Sequence, residues 1–243
     1  MRFRISVRLA TVLCLAAVTT AAAPFSVLSL EAQEAKADSK LTSPSEADEG
    51  FTSLFDGKSL AGWATIESDK RWWKARDGMI LGGSEDLSER IPHNTFLATE
   101  KEYGDFELRL KIRLIGTEGF VNSGIQFRSQ RDPKSPEMIG YQADIGPGWW
   151  GKLYDESRRN RVLAEPADNE AVAKAVEAGQ WVDYRIVAQG KHLQAWINGV
   201  PAFDYIEQDD QIAKHGSIAI QVHGDGKSRV EVKEISIRQL GDN

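Results

Sequence analysis

The chain has 243 residues, of which 30 are lysine or arginine and 36 are aspartate or glutamate, and its formal net charge is −6. This acidic balance makes nucleic acid and anionic lipid poor candidates for a partner and favours a neutral small molecule or another protein. The single cysteine, Cys14, excludes an intramolecular disulfide framework, so the core alone must hold the fold.

The first residues predict an export signal. Arg2, Arg4 and Arg8 precede an apolar run from Leu9 to Ala23, and small residues follow as cleavage points. The run is shorter than the ~20 residues that span a bilayer, which favours a cleaved signal over a retained anchor. We therefore predict a signal peptide at residues 1–32. The mature protein is expected to be periplasmic or extracellular and to have no membrane span.

Residues 33–50 are polar and acidic with no apolar period, which is typical of a flexible linker. Residues 51–241 suffice for one domain with a sizeable core. There the segment DFELRLKIRLI alternates strictly between apolar and charged residues, which is typical of a half-buried antiparallel strand. The same period recurs in SGIQFRS and GSIAIQVHG. The predicted inward set is Leu108, Leu110, Ile125, Phe127, Ile218 and Ile220.

Turn signals join these strands. Asp77-Gly78, Gly190-Lys191 and Asn198-Gly199 each predict a tight hairpin. One helix is expected, capped by Asp168 and ended by Gly179. Many short strands with one minor helix favour an all-β sandwich of two antiparallel sheets.

Three strands carry a polar pair opposite their core face. The pairs are Gln126 with Arg128, Gln142 with Asp144, and Gln221 with His223. Alternation places each pair on one side of its strand, so strands in the same sheet would gather these groups on one surface. An ordinary solvated face is the alternative. Glutamine is a less usual choice for such a face, and histidine is rare here, with four in the chain.

The strand that carries Asp144 runs into Gly-Pro-Gly followed by Trp149 and Trp150. Sugar rings offer hydroxyl edges and apolar C–H faces, so a sugar site combines polar side chains with aromatic platforms. The segment therefore predicts a carbohydrate site in which Gln142 and Asp144 bind hydroxyls and a tryptophan stacks on the ring. The alternative is that a tryptophan of this pair caps the core.

The remaining aromatic residues and His93 receive no site role. Trp72 and Trp73 enter a strand, which predicts one buried and one exposed ring. Trp181 and Trp196 are expected to be packing residues. His93 is expected to be a surface histidine, and a position at the rim of a site is the alternative.

The order of the short motifs resembles a known family. The motifs are FTSLFDGKSLAGWA, WWKARDGMILGG, YGDFELRLKIRL, NSGIQFRS, GYQADIG, GKLYDE, QWVDYRIVAQGKHLQAWINGV and GSIAIQVHG. From about Phe51 to Leu240 the chain resembles the 3-keto-disaccharide hydrolase domain family, described as 3-keto-glucoside lyase/hydratase. The resemblance implies a concanavalin A-like jelly-roll sandwich, an exported protein and activity on glycosides already oxidised at C3.

The resemblance also implies site positions. The residues that match the family pattern are Asn122-Ser123-Gly124, Arg128, Tyr141 and His223. The chain departs from it at Gln142, where glutamate is usual, and at Asp144, where glutamine is common. It also has Val232-Lys233-Glu234-Ile235 where the family has Phe-Arg-Asn-Ile. The charge on the polar face is therefore rearranged.

The implied chemistry begins with the C3 ketone, which acidifies the proton at C2. A base removes that proton, an enolate forms, the C1–O bond breaks and water adds, so that the net result is hydrolysis. His223 suits the base, since an unperturbed histidine titrates near neutral pH. Arg128 and Gln142 suit the enolate oxygen, and Asp144 suits the leaving group or a divalent metal. Exchanging the roles of His223 and Asp144 fits the sequence equally well.

A divalent metal is the one cofactor that the sequence leaves open. The residues predicted to contact a glycoside are Asn122, Gln126, Gln142, Trp149, Trp150, Tyr154 and Gln221. A non-catalytic carbohydrate-binding module on the same fold is the alternative function, since jelly rolls serve both purposes. A purely structural or interaction domain is a third.

Overall fold

A computed structural model describes residues 49–241, so the predicted signal peptide and most of the predicted linker lie outside the described residues. Within this range the strands form two antiparallel sheets. No helix in the same range is long and apolar enough to cross a bilayer.

The larger sheet, called the large sheet here, has the strand order β13-β12-β11-β6-β15-β4-β3, with β1 paired to β15. Its strands are β1 (Thr52–Ser53), β3 (Trp73–Arg76), β4 (Met79–Gly83), β6 (Phe106–Gly119), β11 (Val182–Gln189), β12 (His192–Ile197), β13 (Val200–Ile206) and β15 (Gly226–Gln239). The long strands β6 and β15 pair along most of their length and form its centre.

The second sheet, called the small sheet, has the order β10-β9-β8-β7-β14-β5-β2. Its strands are β2 (Trp63–Ala64), β5 (Thr95–Tyr103), β7 (Ser123–Arg131), β8 (Met138–Ile145), β9 (Leu153–Glu156), β10 (Arg161–Ala164) and β14 (Gly216–Val222). Neighbours distant in sequence, such as β14 beside both β5 and β7, give the crossed connections of a jelly roll. The predicted all-β, concanavalin A-like sandwich is confirmed.

The core lies between the two sheets and is built by the alternation read from the sequence. Leu108 and Ile112 of β6 are fully buried, as are Ile125 and Phe127 of β7. The whole predicted inward set is buried: Leu108, Leu110, Ile125, Phe127, Ile218 and Ile220. Period-2 alternation therefore assigned the correct face in the central strands of both sheets.

The variant Leu110→Ala tests the core. Leu110 is 5% exposed and belongs to the main apolar cluster. Truncation removes transfer free energy and leaves a cavity, so we expect the free energy of unfolding to fall by ~2–5 kcal/mol. Urea denaturation measures this change. A loss below about 0.5 kcal/mol, the range of ordinary surface substitutions, would contradict the inward assignment.

The three predicted hairpins form, at Asp77-Gly78 between β3 and β4, at Gly190-Lys191 between β11 and β12, and at Asn198-Gly199 between β12 and β13. Asp77 and Asn198 have φ of 52° and 48°, the left-handed region that a tight primed turn requires.

Two local predictions were wrong. The helix α1 (Asn169–Ala175) is capped by Asp168 as expected but ends before Gly179, because Val176 is already extended. Trp72 and Trp73 are both buried, at 6% and 5% exposure. A 3-10 helix (Glu67–Trp72) precedes the strand, so alternation does not apply between these two rings.

The outer face of the large sheet carries ion pairs, of which those of Glu107 are an example. The Glu107 carboxylate accepts hydrogen bonds from Arg109, Arg185 and Arg238 at 2.9, 2.6 and 2.6 Å. Burial raises the pKa of Glu107, but the bonds from Arg185 and Arg109 outweigh it and lower the pKa to about 2. Glu107 is buried, and its charge is compensated by these three arginines.

Candidate functional site

A cleft of about 190 Å³ opens on the outer face of the small sheet. It is lined by Phe120, Asn122, Gln142, Asp144, Trp149, Tyr154, Glu156 and His223. Six of these eight residues belong to the predicted site: Asn122, Gln142, Asp144, Trp149, Tyr154 and His223. The cleft has the scale of one sugar ring, and unlike the large sheet it contains carboxyl groups without a bonded cation.

A chain of buried hydrogen bonds crosses the floor of the cleft and ends on Asp144. Ser129 Oγ donates to Gln126 Oε1 at 2.6 Å, and Gln126 Nε2 donates to Gln142 Oε1 at 3.0 Å. Gln142 Nε2 then donates to Asp144 Oδ1 at 2.8 Å. Gln126 is fully buried and does not line the cleft, so its place is to orient Gln142 rather than to contact a ligand.

The glycine of the Asn-Ser-Gly motif makes room for this chain. A Cβ placed on Gly124 would lie 2.4 Å from Cδ of Gln142, closer than any real Cβ contact. Gly124 pairs with Asp144 across the two strands, so the Gln142 side chain crosses the gap that the missing Cβ leaves. Any larger residue at position 124 would displace Gln142 from Asp144.

Asp144 is the buried carboxyl group of the site. Its side chain accepts one bond at Oδ1, while Oδ2 is buried without a partner among residues 49–241. Burial is the largest cause that raises the pKa of Asp144 to about 8, with the bond from Gln142 acting against it and the charge of Glu156 adding to it. At neutral pH this group is therefore mostly a neutral acid.

Glu156 is a second carboxyl group in the cleft. Burial and then the nearby Glu137 raise the pKa of Glu156 to about 7, whereas a bond from Gln221 opposes the shift. Gln221 Nε2 lies 3.4 Å from Glu156 Oε2, and the Gln221 side chain is fully buried. Gln221 thus supports Glu156 with a hydrogen bond, as Gln142 supports Asp144. Like Gln126, Gln221 does not line the cleft.

His223 follows β14 at the opposite side of the cleft and is half-buried. Its Nδ1 is 2.7 Å from the carbonyl oxygen of Gly224. A carbonyl can only accept, so Nδ1 carries the hydrogen and Nε2 of the neutral ring keeps a free lone pair. The backbone N–H of His223 donates to the carbonyl of Asn122 at 3.1 Å, which fixes the strand end beneath the ring.

Four rings surround the opening of the cleft. The Phe120 ring lies 4.5 Å from the His223 ring and 6.2 Å from the Trp149 ring, and Trp149 lies 6.2 Å from Tyr154. All three contacts are edge-to-face, and Phe120 is 39% exposed. These rings offer apolar platforms beside polar groups.

The turn that carries the two tryptophans is tied to Asp144. The N–H of Trp149 donates to Gly146 at 2.9 Å, and the N–H of Gly151 donates to the carbonyl of Asp144 at 3.3 Å. The turn directs the two rings apart. Trp149 lines the cleft, whereas Trp150 packs on the core and borders a separate groove beside helix α1. The predicted contact of Trp150 with the same site is therefore not supported by its position.

Arg128 does not share the polar face, and the prediction that grouped it with Gln126 was wrong. Arg128 has φ of 47° within a register shift between Phe127 and Gln130, and this β-bulge turns its side chain away. The guanidinium donates to the carbonyls of Gly104 and Gly190 at 2.9 and 2.7 Å. It also pairs with Asp105 at 2.7 Å. Each of its three nitrogens thus bonds to a neighbouring loop.

Two residues of the cleft were missed by the sequence analysis. Glu156 lies two positions after Tyr154 in β9, so alternation alone would have placed both on one face. Phe120 lies at a loop end without any period, and only its nearness to Asn122 in sequence was a signal. Among residues 49–241 no group of three or more His, Cys, Asp or Glu side chains is arranged to hold a metal ion.

Comparison with known proteins gives the same fold. The chain is similar to a protein from Parabacteroides distasonis ATCC 8503 named as a candidate glycosyl hydrolase, with 22% identity, a TM-score of 0.61 and coverage of 82% of this chain and 99% of that one. It is also similar to the carbohydrate binding module CBM66 from Bacillus subtilis, with 16% identity, a TM-score of 0.50 and coverage of 78% and 96%. No curated protein matches the sequence significantly.

The family comparison covers nearly the whole described domain. Residues 50–238 match the model of the 3-keto-alpha-glucoside-1,2-lyase-like domain. This range contains every residue of the cleft and both sheets, apart from the last residue of β15. The chain belongs to the 3-keto-alpha-glucoside-1,2-lyase-like domain family.

Proposed function

We propose that this protein is an exported enzyme that cleaves 3-keto-glycosides by elimination and hydration, with net hydrolysis. The observation that carries the proposal is the pairing of a buried, neutral Asp144 with a half-buried His223 in one ring-sized cleft. Family membership and the aromatic rim support a carbohydrate ligand. The amide and carboxyl groups of the floor suit the hydroxyl edges of a sugar.

The roles follow from protonation. His223 is the base that removes the C2 proton, because its Nε2 keeps a lone pair while Nδ1–H is bonded to Gly224. Asp144 is the donor to the C3 oxygen, since a carboxyl group kept neutral by burial can donate a hydrogen bond to a developing enolate. Asp144 takes the role at the enolate oxygen that the sequence suggested for Arg128, because the Arg128 guanidinium is bonded to Gly104, Gly190 and Asp105.

The experiment is turnover of 3-keto-trehalose and of a 3-keto-aryl glucoside by the mature protein, with and without EDTA, followed by release of the sugar. We expect release from both ketones and none from the corresponding ordinary glucosides, because only a C3 ketone acidifies the C2 proton. Loss of activity in EDTA would add a metal to the mechanism. Equal turnover of ordinary glucosides would contradict elimination and favour direct hydrolysis.

A non-catalytic carbohydrate-binding module is the second candidate. The edge-to-face rim of Phe120, Trp149 and Tyr154 favours it, since such rings bind a sugar without any acid or base. Saturable binding of the ketosides without any release of product would support this function and exclude the enzymatic one.

A further inference from the structure

A second histidine lies beyond the cleft and is held by a buried carboxylate. His93 Nε2 is 2.9 Å from Oδ1 of Asp69. The Asp69 side chain is fully buried, whereas that of His93 is 38% exposed. A buried carboxylate that orients a partly exposed ring is the arrangement of an acid–base pair. The expectation that His93 is an ordinary surface histidine does not account for Asp69.

The other histidine–aspartate pair of the domain shows the contrast. His192 Nε2 lies 2.6 Å from Oδ1 of Asp204, but both side chains are exposed, at 44% and 65%. The two groups of an exposed pair stay hydrated, so the pair contributes little to the stability of the fold. Asp69, in contrast, is removed from water and has one oxygen, Oδ2, without a partner among residues 49–241. Burying such a group is costly unless it is paired. Asp69 Oδ1 also accepts a bond from Ser68 at 3.0 Å, and its charge acts on Arg131. Among these three, only His93 faces solvent as a ring that can exchange a proton.

His93 lies on a backbone segment next to the one that carries His223. The N–H of Gly224 donates to Oδ1 of Asn94 at 2.9 Å. A Cβ on Gly224 would lie 2.8 Å from Cα of His93, so the two backbones are in direct contact. The segments that carry the two histidines therefore run side by side at the start of β5 and the end of β14, where Thr95 pairs with Val222.

Glu137 connects the two histidines. Its carboxylate accepts a bond from Nδ2 of Asn94 at 3.1 Å. Burial raises the pKa of Glu137, while the Asn94 bond and then the charges of His223 and His93 lower it. Both rings thus lie within electrostatic range of one carboxyl group.

We propose that His93, oriented by Asp69, is the general acid that protonates the glycosidic oxygen as the C1–O bond breaks. The proposal rests on the proposed function. The cleft holds one ring, so the leaving group must extend beyond it, and the side next to His223 is where His93 stands. An unactivated alkoxide leaves slowly unless it is protonated as the bond breaks.

The protons balance over the two steps. In elimination, His223 takes the C2 proton, the C1–C2 double bond forms, and the C1–O electron pair goes to the glycosidic oxygen, which takes a proton from Nδ1 of His93. In hydration, neutral His93 takes a proton from water as hydroxide adds to C1, and His223 returns its proton to C2. Both rings end in their initial states, and Asp69 is a positioning residue throughout.

The test compares two leaving groups in the full mature protein. 3-Keto-trehalose has a leaving group that needs protonation, whereas a 3-keto-nitrophenyl glucoside has one that does not. For His93→Gln we expect kcat/KM on 3-keto-trehalose to fall roughly 100-fold, the low end for loss of a general acid. On the nitrophenyl substrate we expect a change of less than about 3-fold. His192→Gln is the matched control and should leave both values unchanged.

Asp69→Asn provides a second variant, because it keeps the size of the side chain but removes the charge behind the ring. We expect the same dependence on the leaving group, and thermal unfolding checks that the variant is folded. Equal losses on both substrates, or no loss on either, would overturn the role of His93 while leaving the proposed function intact. If the wild type turned over neither ketoside, the proposed function would fail first and this inference with it.

Discussion

The variant His223→Ala is expected to lose at least ~100-fold in kcat/KM on 3-keto-glycosides, the low end for removal of a general base. The reason is geometric. Nδ1–H of this ring is bonded to the Gly224 carbonyl, so Nε2 keeps a free lone pair that can accept the C2 proton. No other imidazole lines the cleft among the described residues. Steady-state kinetics with 3-keto-trehalose measures the effect.

Stability must be separated from activity in this experiment. The His223 ring is half-buried and packs edge-to-face on Phe120 at 4.5 Å, so truncation should change the free energy of unfolding by no more than about 1 kcal/mol. His215→Ala is the control, because that side chain is 64% exposed and lies at the other end of β14. A His223→Ala enzyme that retained more than about one tenth of the rate would exclude the general-base role.

The sequence predicted the fold and most of the cleft wherever strand alternation is regular. Gln142 and Asp144 were placed on one face because β8 runs without a break from Met138 to Ile145. The same rule placed Phe127 in the core. It failed one residue later at Arg128, because a bulge with positive φ adds a residue to the strand and no residue type marks that bulge.

Burial of the polar residues was not readable from the sequence. Gln126, Gln221 and Asp69 are each fully buried, although their residue types are usually exposed. Whether a glutamine touches the ligand or supports the residue that does depends on the curvature of the sheet and on its neighbours. The bond from Gln142 to Asp144 joins two residues of one strand, as alternation allows. The bond from Gln221 to Glu156 joins different strands, and alternation does not specify it.

The variant Asp144→Asn should make the protein more stable at alkaline pH. The carboxyl pKa is about 8 in the folded protein against the ordinary 3.8, so between about pH 4 and pH 8 the folded state binds more protons than the unfolded state. The free energy of unfolding of the wild type therefore falls as pH rises through this window. Glu156, raised from 4.5 to about 7, acts in the same direction.

Asparagine at position 144 removes the larger part of this fall in the free energy of unfolding with pH, because its side chain is neutral at every pH. Its side-chain oxygen can still accept the bond from Gln142. A pKa of about 8 instead of 3.8 sets an upper bound of about 5–6 kcal/mol at pH 9. Relaxation around the charge reduces it, so we expect a gain of roughly 2–4 kcal/mol at pH 9 and little difference near pH 4. Urea denaturation of both proteins from pH 4 to pH 9 measures it.

Asp204→Asn is the control, because that exposed carboxyl has a lowered pKa, caused first by its bond to His192, and should give no gain at high pH. Parallel pH curves for wild type and Asp144→Asn would mean that Asp144 is ionised in the folded protein, and the neutral donor to the C3 oxygen would have to be another group.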